Sequence, residues 1–129
     1  MANMPFDDIN KLNLPFVDAH EIIGNVRVLR FKGSIDSKTL PQIIKLKKAI
    51  EQKGDINTIN VLLDLKKVTY GDSAALGALI LRLSELKRHN KKLGLINAPD
   101  GLINMLDIFK CRELFSIYES EEDALKSLG

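Results

Sequence analysis

The sequence predicts a small α/β domain: a mostly parallel central sheet of about four to five strands, flanking helices, and an antiparallel hairpin at the N-terminal edge. Three observations predict it. Short apolar runs suited to strands alternate along the chain with longer segments whose apolar residues recur at helical spacing. The 129 residues, 45% apolar and 28% charged, are enough for one core that folds alone. No internal repeat, low-complexity stretch or linker interrupts the series, and strands joined through helices are most simply crossovers in a parallel sheet.

Taken in order, the first firm strand is VRVLRF at residues 26–31, where β-branched content favours extended backbone although the alternation is imperfect. Val26, Val28 and Arg30 share one side, and Arg27, Leu29 and Phe31 the other. The preceding LPFVDAH supplies a hairpin partner. Pro15 puts that partner at the sheet edge, where a missing N–H breaks no ladder bond. After Gly33-Ser34-Ile35-Asp36, Thr39 and Gln42 fit a capping box, with Pro41 inside the first helical turn. The helix so begun is expected to face the core with Leu40, Ile43, Ile44 and Ile50, to carry Lys47, Lys48 and Lys53 toward its C-terminal end, and to stop near Gly54.

TINVLLDL at residues 58–65 shows little alternation, as a central strand covered on both faces should. It leads into VTYGDSAALGALI. From Ser73 onward Leu76, Leu79, Ile80, Leu83 and Leu86 repeat at helical spacing, and Lys87, Arg88 and His89 crowd the end, where cations complement the helix dipole. KKLGLINA gives another buried strand. Pro99 and Asp100 open a helix carrying Leu102, Met105, Leu106 and Phe109. LFSIYES gives a last strand, and EEDALKSL a short helix with acids in its first turn.

Several function classes drop away on composition and spacing. A net charge of +2 makes no field that would draw a polyanion, so no direct nucleic-acid partner is expected. A single cysteine, Cys111, excludes an internal disulfide framework and suits a reducing compartment. With only two scattered histidines, His20 and His89, there is no metal-ligand pattern. No run approaches the roughly 18 apolar residues of a membrane span, so the reading is a cytoplasmic protein without membrane insertion. Residues 1–12 are expected to fray, with the domain over 13–129.

The residue that asks for an explanation is Ser73, set behind Gly71-Asp72 where a strand gives way to a helix. Either Asp72 or Ser73 can cap that helix by accepting one of its orphan N–H groups. A catalytic triad at Ser73 is excluded if that helix forms. YGDSAALG lacks the second glycine of a nucleophile elbow, and the only histidine after it, His89, sits at the far end of the same helix, roughly 24 Å away at about 1.5 Å per residue. The acid pairs Asp7-Asp8 and Glu121-Glu122 are read as solvated termini, KRHNKK as a helix-end charge cluster, and Cys111 as packing. No glycine-rich phosphate loop is present, so no catalytic residue, metal or cofactor is assigned. Phosphorylation of Ser73 is chemically apt: the helix N-terminus would hold a phosphate, and about −1.5 to −2 added charges beside Asp72 would repel an acidic or apolar surface docked there.

VLLDLKKVTYGDSAALGALI resembles the signature of the STAS domain family, in particular its bacterial anti-sigma factor antagonists. The likeness continues through LINAPDGLINMLDIFKCRELFSIYESEEDAL and through GSID at residues 33–36. It implies a partner-switching cycle. The unmodified protein would bind an anti-sigma factor that is also a serine kinase, the kinase would use ATP to phosphorylate Ser73, and a metal-dependent serine/threonine phosphatase would restore binding. The resemblance puts Asp72 at the motif aspartate and Asp36 at the turn acid on the same face. The implied contact surface is Ser34, Asp36, Asp72, Ser73, Ala74, Ala75 and Leu76, on a monomer or weak dimer. Ala74 and Ala75 stand where the family carries a hydroxyl residue and a glycine. Both favour the helix and add bulk where a partner's backbone would approach. Gly71 stands where the family has a larger apolar residue. The alternative implied by the same resemblance is a constitutive interaction module, in a signalling scaffold or a lipid-transport complex, with Ser73 serving only as a cap.

Overall fold

A computed structural model describes residues 14–51 and 59–129. The expectations for residues 1–12, for Asp7-Asp8, for Lys53 and for a helix stop at Gly54 fall outside those residues. Five strands form one sheet in the order β1-β2-β3-β4-β5: β1 is Val17–Ile23, β2 Val26–Ile35, β3 Asn60–Gly71, β4 Leu93–Ile96 and β5 Ser116–Tyr118. β1 and β2 make the antiparallel edge hairpin, and every other pairing is parallel. The helices are α1 Leu40–Glu51, α2 Ser73–Arg88, α3 Asp100–Ile108 and α4 Glu121–Leu128, with a 3-10 turn at Arg112–Leu114.

Strand alternation sorts the sheet into two faces. On one, Leu29, Val61, Leu63, Leu65, Leu93 and Leu95 pack under α1, α2 and α3. On the other, Val26, Val28, Leu62 and Ile96 pack under α4 alone, against Ala124 and Leu128. Gly94 lies at the centre of the second face. A Cβ there would come within 2.9 Å of both Leu128 Cδ1 and Tyr118 Cε2, so a larger residue would displace the ends of both side chains.

Several local expectations change in the structure. The capping box at Thr39 does not form: its hydroxyl turns back to accept from the Asp36 N–H at 3.2 Å and lies 3.3 Å from both the Ser34 carbonyl and Asp36 Oδ1. α1 therefore starts from the preceding turn, with the Ile43 N–H donating to the Thr39 carbonyl. Its core contacts are Leu46 and Ile50, and Ile44 is exposed, so Ile44 falls off the inward stripe. Phe109 likewise lies past the end of α3 and is exposed. Leu114 belongs to the 3-10 turn and is exposed, while Phe115 is buried. Two helices end on non-glycine residues in the left-handed region, Asn90 at φ 59 and Lys110 at φ 54. In each, the following amide reaches back to close the helix, Lys91 to Leu86 and Cys111 to Leu106.

Candidate functional site

The site forms where two parallel strands end side by side. β2 and β3 run in register to Ser34 opposite Tyr70 and Ile35 opposite Gly71, and the Asp72 N–H reaches the Ile35 carbonyl at 3.4 Å. This register brings the turn after β2 against the turn that opens α2. The β2 ladder slips between Gly33 and Ser34, and Gly33 sits at φ +74, a backbone region that a residue with a Cβ enters at a cost. Ser34, next to that irregularity, is exposed. Asp36 follows, its Oδ1 accepting from the Lys38 N–H at 2.9 Å.

On the α2 side the question of which residue caps the helix is resolved by geometry. Asp72 is the cap: extended at φ −109 and ψ −169, it accepts from the Ala74 N–H at 2.9 Å and the Ala75 N–H at 3.2 Å with one carboxylate oxygen. Ser73 is the first residue inside the helix and is exposed. Its hydroxyl is thus presented to solvent at the positive end of a 16-residue helix. Ala74 is half-buried. Ala75 and Leu76, read from the sequence as contact residues, are core instead, with 6% and 4% exposure, because one turn of helix rotates them onto the sheet. The structure therefore brings together Ser34, Asp36, Asp72, Ser73 and Ala74, and removes Ala75 and Leu76 from the accessible surface. Gly71 is not demanded by backbone geometry: a Cβ there would make ordinary contacts with Ala75 Cβ at 3.7 Å and the Ile35 carbonyl at 4.0 Å.

Among the described residues, neither histidine lies beside Ser73. His89 is exposed at the opposite end of α2, and His20 is buried on β1, accepting from Arg27 Nη1 at 2.9 Å. Accepting that bond requires a neutral ring. Burial, reinforced by the Arg27 charge, lowers the His20 pKa from 6.5 to about 4. Among the described residues no group of three or more potential ligands could hold a metal ion.

Two ionic features were missed in the sequence. Arg27, 8% exposed, lies on the α1/α2 face; the signal was its place on the same side as Leu29 and Phe31. On the opposite face Arg30 binds Glu21, Asp64 and Glu121 at 3.1, 2.8 and 2.6 Å. Its pKa is raised chiefly by the bond to Glu121, against desolvation. Glu121, expected to be merely solvated, is thereby one end of a link from α4 to β2. Asp64 feels desolvation that would raise its pKa, yet bonds from Asn97, the Lys66 amide and Arg30 hold it below the usual carboxylate range.

A family model described as STAS domain matches residues 19–124. Among curated proteins, the chain is 26% identical over 90 residues to the anti-sigma-B factor antagonist of Staphylococcus aureus, covering 70% of this chain and 81% of that one. Among solved structures, an anti-sigma-factor antagonist (STAS) domain protein from Planctomyces limnophilus superposes with a TM-score of 0.72 at 19% identity, over 87% of this chain and 97% of that one. The Bacillus cell fate determinant SpoIIAA in its phosphorylated form superposes with a TM-score of 0.63 at 19% identity, over 86% and 100%.

Proposed function

The chain belongs to the STAS domain family, and we propose that it is an anti-sigma factor antagonist that works by partner switching. In the unphosphorylated state the surface made by Ser34, Asp36, Asp72, Ser73 and Ala74 binds an anti-sigma factor that is also a serine kinase. The kinase transfers the γ-phosphoryl of ATP to Ser73 Oγ, leaving ADP, and the complex separates. A serine/threonine phosphatase returns the protein to its binding state. The reading puts the protein in the cytoplasm as a monomer or weak dimer, in agreement with a chain in which no described helix is long and apolar enough to cross a membrane.

One observation carries the proposal. Ser73 stands exposed beside the Ser34–Asp36 turn while its neighbour, Asp72, satisfies the helix start. A hydroxyl that the fold does not use can enter another protein's active site without local unfolding. Once esterified, it carries about −1.5 to −2 charges at neutral pH. Asp72 already holds the Ala74 and Ala75 amides, so the phosphate meets a carboxylate rather than open donors. The new charge is therefore directed outward, where it repels an acidic partner surface and desolvates poorly against an apolar one. The relatives named as anti-sigma factor antagonists point the same way.

The test is partner capture from the source cells with wild type, Ser73→Ala and Ser73→Asp, combined with phosphosite mapping. The expected result is phosphate at Ser73 and a kinase partner bound by Ser73→Ala but held at least tenfold more weakly by Ser73→Asp, about 1.4 kcal/mol. Equal binding of all three to scaffold or transporter subunits, with Ser73 unmodified, would overturn the switch in favour of a constitutive module.

A further inference from the structure

α1 and α2 both cover one face of the sheet, yet they leave between them a cavity of about 670 Å³, within the range of small-molecule sites. Its emptiness follows from the sequence of α2. The side of α2 that lines it carries Ala74, Gly77 and Ala78; Gly77 is exposed at the mouth of the cavity, and a Cβ built on it meets no atom within 4 Å. The walls are apolar, with Leu29, Leu63 and Ile43 among them. Arg27 lines one region and Gly71 another. They pair with Val61 and Ile35 respectively, so the cavity follows β2 for roughly 26 Å at about 3.3 Å per residue.

Arg27 is the second observation. It is 92% buried, since 8% of its surface is exposed; its Nη1 meets His20, a neutral group, and its Nε has no hydrogen-bond partner among the described residues. No carboxylate among the described residues pairs with it. A buried guanidinium without a counter-charge is costly, and here desolvation, with the nearby Arg82 adding to it, lowers its pKa. Among the described residues, the cavity lining holds four cations, Arg27, Lys47, Lys48 and Arg82, against the two carboxylates of Glu51 and Glu85. Glu85 is already engaged by Lys47 and lies 3.7 Å from Arg82.

We infer that this cavity binds a small amphiphile with an apolar body and a carboxylate head, in the manner of a fatty acid, and that Arg27 receives the head group. The carboxylate supplies the charge that the burial of Arg27 calls for, and a fork of N–H donors suits it in two-point geometry. The alkyl part fills the space that Gly77 and Ala78 leave open. The inference is independent of phosphorylation at Ser73.

Isothermal titration of the full chain with dodecanoate, below its micellar concentration, and with dodecanol tests it. Saturable 1:1 binding of dodecanoate is expected, at least tenfold tighter than dodecanol, with a shift of the Arg27 Nε–H resonance on binding. Arg27→Met removes that tenfold preference, and Gly77→Leu, which fills the cavity, abolishes binding of both; thermal melts establish that each variant is folded. Failure of dodecanoate to saturate, equal affinity for the alcohol, or an unmoved Arg27 Nε–H resonance would overturn the inference. So would unchanged dodecanoate binding by Gly77→Leu, whatever proteins that variant ceased to capture. Should Arg27→Met not fold, the resonance shift and Gly77→Leu decide alone.

Discussion

The two faces of the sheet are closed by different means. Under α4 the packing is complete: Leu62 is fully buried between strands and helix, Gly94 allows close approach, and Arg30 ties Glu121 of α4 to Asp64 of β3. Under α1 and α2 small residues line a cavity, and the exposed apolar Ile44 and Leu81 are part of its wall. The contrast teaches that the number of covering helices does not decide how well a face is filled: where α1 faces α2, the wall contributed by Ala74, Gly77 and Ala78 is small. Incomplete packing and the exposed serine both lie on the α1/α2 side, so the α4 side is free to serve as the anchor.

The sharpest way to break this comparison is to cut into both faces. Leu62→Ala, under α4, is expected to lose about 2–5 kcal/mol, because a sealed site cannot collapse around the missing methyl groups. Leu81→Ala, at a residue 62% exposed in the wall of the cavity, should change stability by less than about 0.5 kcal/mol. Urea titration of both variants measures the difference. Losses of equal size would mean that the two faces are equally packed.

An effect of intermediate size comes from the polar pair on the open face. With its pKa lowered to about 4 from 6.5, His20 is neutral in the fold while the unfolded chain takes up a proton between those values. Its contribution is thus complete above pH 6.5 and is lost as the pH falls toward 4, by up to about 3 kcal/mol. Stability measured at pH 7 and pH 4 in wild type and His20→Gln isolates the term, the variant having the flatter profile. The smallest contrast lies within one turn of α2. Asp72→Ala should cost about 1 kcal/mol through loss of the cap, and Ser73→Ala less than about 0.5 kcal/mol, both read by thermal denaturation.

How much of this was legible in the sequence depended on what holds each element. Every strand and helix among the described residues could be read, because β-branched runs such as VRVLRF and the leucine spacing of α2 are local signals. Burial at element ends was not. Ile44 and Phe109 looked like core residues from spacing, but which stripe of α1 meets the sheet and where α3 ends are tertiary facts. Ala75 and Leu76 were assigned to a surface by motif, and one turn of helix rotation buried them. The Asp72-or-Ser73 ambiguity also needed coordinates, since both side chains are competent caps and only dihedral angles separate them. The Arg30 links join residues 34 and 91 positions apart, a distance over which no local pattern speaks. Arg27 did leave a trace, a charge in step with Leu29 and Phe31, but it reads equally well as imperfect alternation.

The division of labour between Asp72 and Ser73 has an evolutionary corollary. With the capping bonds made by the Asp72 carboxylate, a substitution at position 73 leaves them in place, so in the proposed switch a mark there could be gained or lost without cost to the helix start. A chain in which the hydroxyl itself closed the helix would have no such latitude, for each experiment in signalling would also be an experiment in folding.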